Sequence, residues 1–469
     1  MASQISLEYE RRKPEKTVLY QVVRDKIDEF RTMLDEAGRS LPRFVDDEFD
    51  KFLGCGVLGR GFVRCYCRNC RFNRLVAFSC RCRGFCSTCI GRRMADTAAY
   101  LVDCVIPDIP MRTWTLTLPY ALRYLCAYNR EVLGDVITAF NRSLHRWLRR
   151  QAKREFGLQS IDEAHPGSIT WPQRFGSAAN LNVHLHSLGT EGVFIEDGDK
   201  GLKWRTLPDP TSEEIAAIAL ETAERVAKAL QKRGLALMGE DGDFDEFADA
   251  EPLLAQCYAA SIRGYIATGA RAGQKVMMMG VAIDDDHREL GDARQPDGFN
   301  LFAGKCIPAF DKQKREHAIR YMARPPIPKD KLTYTSDGDV LLELKRPWSN
   351  GTTHARFTGT ELLEKLASLV PPPRVNGVRY HGIFAPNAKH RGAMVEMVPL
   401  DETRDVEKPK ARKDKTGVYH DWAELLQRVF EYDLTKCPRC GVRGMQQIAV
   451  ITQPAVIRAI LDSMGHSPS

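Results

Sequence analysis

The sequence predicts an α+β protein with a metal-binding module near its front. Three observations carry the prediction. Amphipathic helices and short strand-like runs follow one another in mixed order along the chain. Eight of the 14 cysteines fall between Cys55 and Cys89. In "LNVHLHSLGTEG", residues 181–192, His184 and His186 stand two apart in a strand-like run and so share one of its faces.

A chain of 469 residues exceeds one typical domain. Its hydrophobic content of 43% is ordinary for a globular protein. No run reaches the roughly 18 consecutive apolar residues of a transmembrane helix. The N-terminus, "MASQISLEYERRKPEK", carries charges where a secretory leader needs an apolar run, so an unprocessed cytosolic chain is expected. The net charge of +7 is a weak signal, but its distribution is not. From Lys51 to Ala95 there are ten Lys or Arg and no Asp or Glu. Such a one-signed block suits a polyanion such as nucleic acid, since a merely solvated loop seldom excludes acids so completely.

Taken in order, residues 1–50 read as a polar helical segment with Val22, Ile27, Phe30 and Leu34 at helical spacing. Residues 51–95 are the cysteine-rich basic module, and "MADTAAYLVDCVI" follows as a helix. In "RTWTLTLPYALRYL", Trp114, Leu116 and Leu118 alternate with Thr113, Thr115 and Thr117, which makes a strand ended by Pro119. Val132, Val136, Phe140, Leu144 and Leu148 then form one stripe of a long helix that Gly157 stops. "GSITWPQRFGSAANLNVHLHSLGTEGVFI" reads as two strands joined by a loop. "TSEEIAAIALETAERVAKALQKRG" is a helix with a capping box at Thr211 and Glu214 and a stop at Gly234. "GEDGDFDEFADAE" reads as an exposed, poorly ordered acidic loop, and "QKVMMMGVAI" as a strand. "AFDKQKREHAIRYMARPPIPKD" is a short basic helix halted by Pro325 and Pro326. A hairpin turning at Asp337-Gly338, a helix in "TGTELLEKLASLVPPP", a Cys-x-x-Cys and a last helix near "PAVIRAILDSMG" complete the chain. The resulting division is a helical segment at 1–50, a metal-binding module at 51–95, a central domain at 96–330 and a mixed C-terminal region at 331–469.

Clustered cysteines in a chain without a secretory leader favour metal over disulfides. Cys67, Cys70, Cys86 and Cys89 give two C-x2-C pairs with a spacing that suits one tetrahedral structural zinc. Cys55, Cys65, Cys80 and Cys82 are spare thiols or alternative ligands. Cys437 and Cys440 in "CPRCG" are half a site: reduced thiols in a turn, or part of a second zinc shared with a distant histidine. Arg92 and Arg93 are candidates for gripping phosphates beside the module.

His184 and His186, with Asn182, point one way from their strand while Val183 and Leu185 point the other. The strand can bury the latter and offer two imidazoles to a cleft. Two core histidines are the alternative, because short motifs are often fortuitous. Tyr321 lies one turn after His317 on the basic helix, with Arg315, Arg320 and Arg324 nearby in sequence. Those cations would favour a phenolate and attract phosphate, although a tyrosine packed on a sheet fits the local pattern equally well.

A strand with histidine, hydrophobe, histidine, followed by a helical tyrosine, resembles the HUH superfamily of single-strand DNA nucleases. "RFGSAANLNVHLHSLGTEGVF" is similar to the corresponding segment of the IS91-like insertion-sequence transposases. So are "CSTCIGRRMADTAAYLVD", "RYMARPPI", "LKRPWSNGTTH", "VRYHGIFAPNAKHR" and "CPRCG", in the family's order from about residue 50 to 460. "WTLTLP" resembles the first strand motif of rolling-circle replication initiators. The resemblance implies an antiparallel-sheet nuclease core with flanking helices, and a bacterial cytoplasmic transposase that moves DNA through single strands. His184 and His186 would then hold Mg or Mn, with Gln173 as the expected third ligand, and Tyr321 would be the nucleophile. Arg320 and Arg324 would steady the phosphate, and host replication proteins would be further partners. Many relatives carry two tyrosines separated by three residues; here the earlier position is His317, which makes this a single-tyrosine chain. Two other readings are a plasmid replication initiator or relaxase with the same core, and a non-catalytic zinc-containing DNA-binding regulator.

Overall fold

The structure, a computed structural model, describes residues 13–197, 201–235, 245–280, 298–398 and 436–465. The chain enters through α1 (Val18–Glu36), whose periodic Val22, Ile27, Phe30 and Leu34 are buried, and α2 (Arg43–Leu53), which buries Val45, Phe49 and Phe52. These side chains lie in the largest apolar core, beside Phe85 and Leu362. The N-terminal segment therefore shares an apolar core with residues of the central sheet and of the Arg130–Phe156 helix. β1 (Phe62–Cys67) and β2 (Asn73–Ala77) form a hairpin. α3 (Ser87–Tyr100) leads away from the module.

β3 (Met111–Thr117), α4 (Tyr120–Tyr128) and α5 (Arg130–Phe156) follow. The α5 stripe is buried as patterned, and Gly157 ends the helix at φ 67, a left-handed conformation that glycine adopts without a Cβ penalty. Next come β4 (Ala164–His165), β5 (Gly167–Phe175), β6 (Leu181–Thr190), β7 (Gly192–Glu196) and β8 (Leu202–Thr206). The stretch read as two strands thus holds a third, β7. The chain changes sheet at Glu191, whose buried carboxylate takes both ends of the Arg112 guanidinium at 2.6 and 2.7 Å. Gly192 permits the crossing, because a Cβ there would stand 2.2 Å from the Arg205 carbonyl oxygen.

α6 (Ser212–Lys232) has the predicted capping box. α7 (Glu246–Ala250) and α8 (Pro252–Arg263) follow. The acidic loop is corrected in its second half: Asp245 accepts a 2.7 Å hydrogen bond from the Tyr124 hydroxyl, and Phe247 stacks on Tyr128 with ring centroids 4.2 Å apart. Its first half, up to residue 244, lies outside the described residues. The remaining elements are β9 (Met277–Gly280), β10 (Asn300–Ile307), α9 (Lys312–Met322), β11 (Leu332–Tyr334), β12 (Val340–Glu343), β13 (Thr352–Phe357), α10 (Gly359–Leu369), β14 (Arg379–Gly382), α11 (Arg391–Glu396), β15 (Met445–Ile451) and α12 (Pro454–Ser463).

The fold is α+β with antiparallel sheets. The central one has five strands in the order β10-β3-β6-β5-β14, with β6 in the middle. One face carries Trp114, Leu116, Val183 and Leu185 into the core with α5 residues such as Phe140 and Leu144. The other carries Met111, Ile169, Trp171 and Leu188 against Ile319 and Met322 of α9. Alternation along β3, β5 and β6 thus separates an α5 face from an α9 face. Two smaller sheets are β11-β12-β13-β9 and β4-β7-β8.

The fourth sheet joins the two ends of the chain. β15 pairs with β1, Cys67 opposite Met445, in a sheet ordered β15-β1-β2. Ile457 and Leu461 of α12 pack on Leu58, Phe62 and Leu75. Residues 436–465 accordingly pack with the N-terminal module. Among the described residues, no helix is long and apolar enough to cross a membrane.

Candidate functional site

β6 places His184 and His186 on the α9 face, as the alternation requires. His184 Nδ1 lies 2.8 Å from the Asn182 carbonyl oxygen, which can only accept. The proton therefore sits on Nδ1 and leaves the Nε2 lone pair free. His186 Nδ1 is 3.0 Å from Thr115 Oγ1 on the neighbouring strand β3. The two Nε2 atoms are 3.2 Å apart. Burial lowers His184 to about 4, and burial followed by the His184 charge lowers His186 to about 3, so both are neutral at physiological pH. With His186 Nδ1 donating to Thr115, both imidazoles would hold lone pairs toward one point, which suits a cation.

Gln173 stands directly opposite His184 across the β5–β6 ladder. Its Nε2 donates to the Met322 carbonyl at 2.8 Å and more weakly to that of Tyr321 at 3.4 Å. These acceptors fix the amide orientation. Oε1 is left buried with no hydrogen-bond partner. An orphaned oxygen beside two convergent imidazoles fits a divalent ion, and the same amide ties the site to the end of α9. Asn182 Oδ1 is also buried without a partner, but no cross-strand pair sets it against His184.

Tyr321 sits on the last turn of α9, ahead of Pro325 and Pro326, and the residue is 38% exposed. Its ring lies 5.7 Å from that of His186, at 76°. Burial pushes its phenol up, but Arg324 and Lys345 together outweigh burial and hold it below the ordinary tyrosine range. The Arg324 guanidinium is 4.1 Å from the ring centroid and Lys345 Nζ is 3.7 Å from it. The other arginines near in sequence do different things. Arg315 is fully buried and donates to the Pro107 and Ala309 carbonyls, away from the tyrosine. Arg320 pairs with Glu316 at 2.6 Å. His317 is exposed one turn before Tyr321.

Sequence reasoning missed Lys345 and Arg123. Lys345 follows β12, and nothing local marks it beyond its place in "LKRPWSNGTTH". Arg123 donates to the Leu118 carbonyl at 2.7 Å, lies over the exposed Tyr120 ring at 4.6 Å, and adds its charge to that felt by His184.

The cysteines regroup. Cys67, Cys70, Cys86 and Cys89 do not converge on one ion, which corrects the sequence assignment. Cys67 and Cys70 meet Cys437 and Cys440, while Cys86 and Cys89 meet Cys55 and Cys80. Sulfur separations are 3.7 Å for Cys67–Cys440, 3.4 Å for Cys70–Cys437, 3.8 Å for Cys55–Cys86 and 3.6 Å for Cys55–Cys89. Thiolates about 2.3 Å from one zinc stand roughly 3.8 Å apart, so both quartets fit a closed structural zinc. With Cys55 as the first cause, neighbouring sulfurs drive Cys80 and Cys86 far above the ordinary thiol range. Four thiolates there need a cation to neutralise them.

The first quartet is built from two like knuckles. Arg71 N donates to Cys67 O, and Gly441 N donates to Cys437 O, each at 2.8 Å. Arg71 and Gly441 occupy the same left-handed position, at φ 60 and φ 72. α3 starts at the second quartet and packs against α9, which links that zinc to the tyrosine helix. On α3, Arg93 is exposed and donates to the Arg81 carbonyl at 3.2 Å. Arg92 is half-buried on the same helix.

Two family models match the chain. A transposase zinc-binding domain of the IS91 type (Zn_Tnp_IS91) matches residues 22–118, which include Cys55, Cys67, Cys70, Cys80, Cys86 and Cys89. The family Y2_Tnp, described as "Putative transposase", matches residues 167–391, which include Gln173, His184, His186, Tyr321 and Lys345. No curated protein and no solved structure matches the chain. Fold, cysteine quartets and family matches together define a zinc-binding transposase, an enzyme that processes DNA. Within that class, the two matches support an IS91-like transposase.

Proposed function

We propose that the enzyme nicks single-stranded DNA at the ends of its element through a covalent tyrosine link, and rejoins strands in a rolling-circle-like transposition of the HUH type. The observation that supports this reading is the convergence of His184, His186 and the orphaned Gln173 oxygen beside an exposed tyrosine with a lowered phenol pKa.

His184, His186 and Gln173 would hold Mg or Mn, whose charge offsets that gathering on the scissile phosphate. The chain's own residues do the rest. The Tyr321 oxygen attacks phosphorus in line, the bond to the 3′ oxygen breaks, and that oxygen takes a proton to become a free 3′-hydroxyl. The product is a 5′-phosphotyrosine. Arg324 and Lys345 favour the phenolate and draw in the phosphodiester. Gln173, bonded to the Tyr321 and Met322 carbonyls, holds the nucleophile in register with the histidines. The phosphotyrosine conserves the energy of the broken bond, so the 3′-hydroxyl can reverse the step and join strands. The basic module, with Arg92 and Arg93, and the C-terminal strand and helix that complete it, would grip the element end.

The test is to incubate the full chain with single-stranded element-end DNA and magnesium. A protein–DNA adduct that survives denaturant, and is absent from Tyr321→Phe and His184→Ala, supports the reading. If the wild type forms no adduct on any end strand, the tyrosine mechanism fails, and salt-dependent binding alone would leave a DNA-binding regulator.

A further inference from the structure

At the β4-β7-β8 sheet, apart from both the histidine–tyrosine site and the cysteine quartets, a second set of histidines meets a carboxylate. We propose that His165, Glu196 and His390 form an additional metal site, for a transition-metal dication such as zinc, which clasps the segment before α11 to this sheet. His165 ends β4, Glu196 ends β7, and His390 immediately precedes α11. Three separate stretches of chain thus supply one donor each.

The donor atoms all lie within 4.8 Å of one another. Glu196 Oε1 is 2.8 Å from His390 Nε2 and 3.6 Å from His165 Nε2. Both nitrogens are buried, yet neither makes a hydrogen bond, so the carboxylate is close but off the hydrogen-bonding direction. Groups aimed at a shared ion, and not at each other, have this geometry. Donors held about 2.1 Å from one tetrahedral ion stand roughly 3.4 Å apart, a value that falls between the two separations. The imidazole centroids are 4.6 Å apart with the planes at 39°, so the rings are not stacked on each other. Two nitrogens and one oxygen suit zinc better than magnesium or calcium, which take oxygen ligands.

Among the described residues, Lys389 is a competing cation. Lys389 Nζ lies 3.2 Å from the same carboxylate oxygen, but its side chain is 78% exposed and can swing into water. It offers nothing to the two imidazoles. Three protein donors leave a coordination position for water.

The test counts metal in the full chain carrying His184→Ala and His186→Ala, so that the proposed nuclease centre does not contribute. The protein is equilibrated with zinc, desalted and assayed by mass spectrometry. About three zinc ions per chain are expected, two in the cysteine quartets and one here. Adding His165→Ala and His390→Ala should lower the count to about two, and Glu196→Gln should weaken retention of the third against a chelator. Cobalt loading separates the classes, since the thiolate-to-cobalt absorption of the quartets should be unchanged in these variants. Two zinc ions in the parent, or three in the His165→Ala/His390→Ala chain, overturn the proposal. If that chain does not fold, an unchanged third zinc in Glu196→Gln overturns it equally.

Discussion

The ammonium of Lys345 lies 3.7 Å from the centre of the Tyr321 ring, although the two are 24 positions apart and on different elements. Together with Arg324 it holds the phenol below its ordinary range. A lowered pKa means a larger phenolate fraction at any pH beneath it. Lys345→Met should therefore move the phenolate absorbance titration to higher pH, and shift the low-pH limb of adduct formation the same way. The adduct rate at pH 7 should fall roughly tenfold, while Lys345→Arg keeps most of it. If Lys345→Met leaves both profiles in place, the lysine has no part in activating the tyrosine.

The cysteine regrouping has a direct count. Cys67→Ser and Cys86→Ser should each lose about one zinc, and the double variant about two. A single site made of Cys67, Cys70, Cys86 and Cys89 would lose only one in all three chains. Cys437→Ser should lose the same ion as Cys67→Ser, so combining those two should release no more metal than either alone.

α10 buries a charge pair. Lys365 Nζ is 2.8 Å from Glu364 Oε1, both side chains are fully buried, and Lys365 also donates to the Tyr265 carbonyl. Glu364 Oε2 accepts from Ala267 N at 2.9 Å and from Thr268 N and Oγ1 at 2.8 Å. Lys365→Met strands a carboxylate in the core and should cost about 3–5 kcal/mol. Glu364→Gln with Lys365→Met leaves no bare charge and should recover part of that in urea unfolding. Equal losses in the single and double variants would show that charge is not the cause.

The α5 face of the central sheet carries a buried polar network. His145 Nε2 is 2.8 Å from Ser168 Oγ, which donates to Asn141 Oδ1 at 2.5 Å. Burial, followed by the charges of His381 and Arg149, lowers His145 to about 3. The unfolded histidine titrates near 6.5, so below that pH the unfolded chain takes a proton that the folded one refuses. Stability should fall by about 1.4 kcal/mol per pH unit on this account between pH 6.5 and about 3, and be unaffected by it above. His145→Gln should flatten the acid side of the urea-midpoint profile by one proton's worth. An unchanged slope would mean that His145 is protonated in the fold.

Much of this fold is legible in the sequence, because it is written in local periods. The α5 stripe, the α6 capping box, and the face shared by His184 and His186 all follow from spacings of two or of three to four. Gln173 is locally ordinary, and only the β5–β6 register sets it against His184. The cysteine partners were unreadable for a plainer reason. Spacing rules look for the second pair nearby, whereas Cys70 and Cys437 are 367 residues apart. Lys345 is hidden likewise, since a loop residue has no period to betray what it faces.

The β15–β1 pairing and its zinc also set an order of events during synthesis. A growing chain carries Cys67 and Cys70 out of the ribosome long before Cys437 exists, so that quartet stays open until synthesis has passed Cys440. A copy cut short before Cys437 would keep His184, His186 and Tyr321 and lack a finished quartet. The closure thus ties completion of the N-terminal module to synthesis of the chain as far as its second cysteine knuckle.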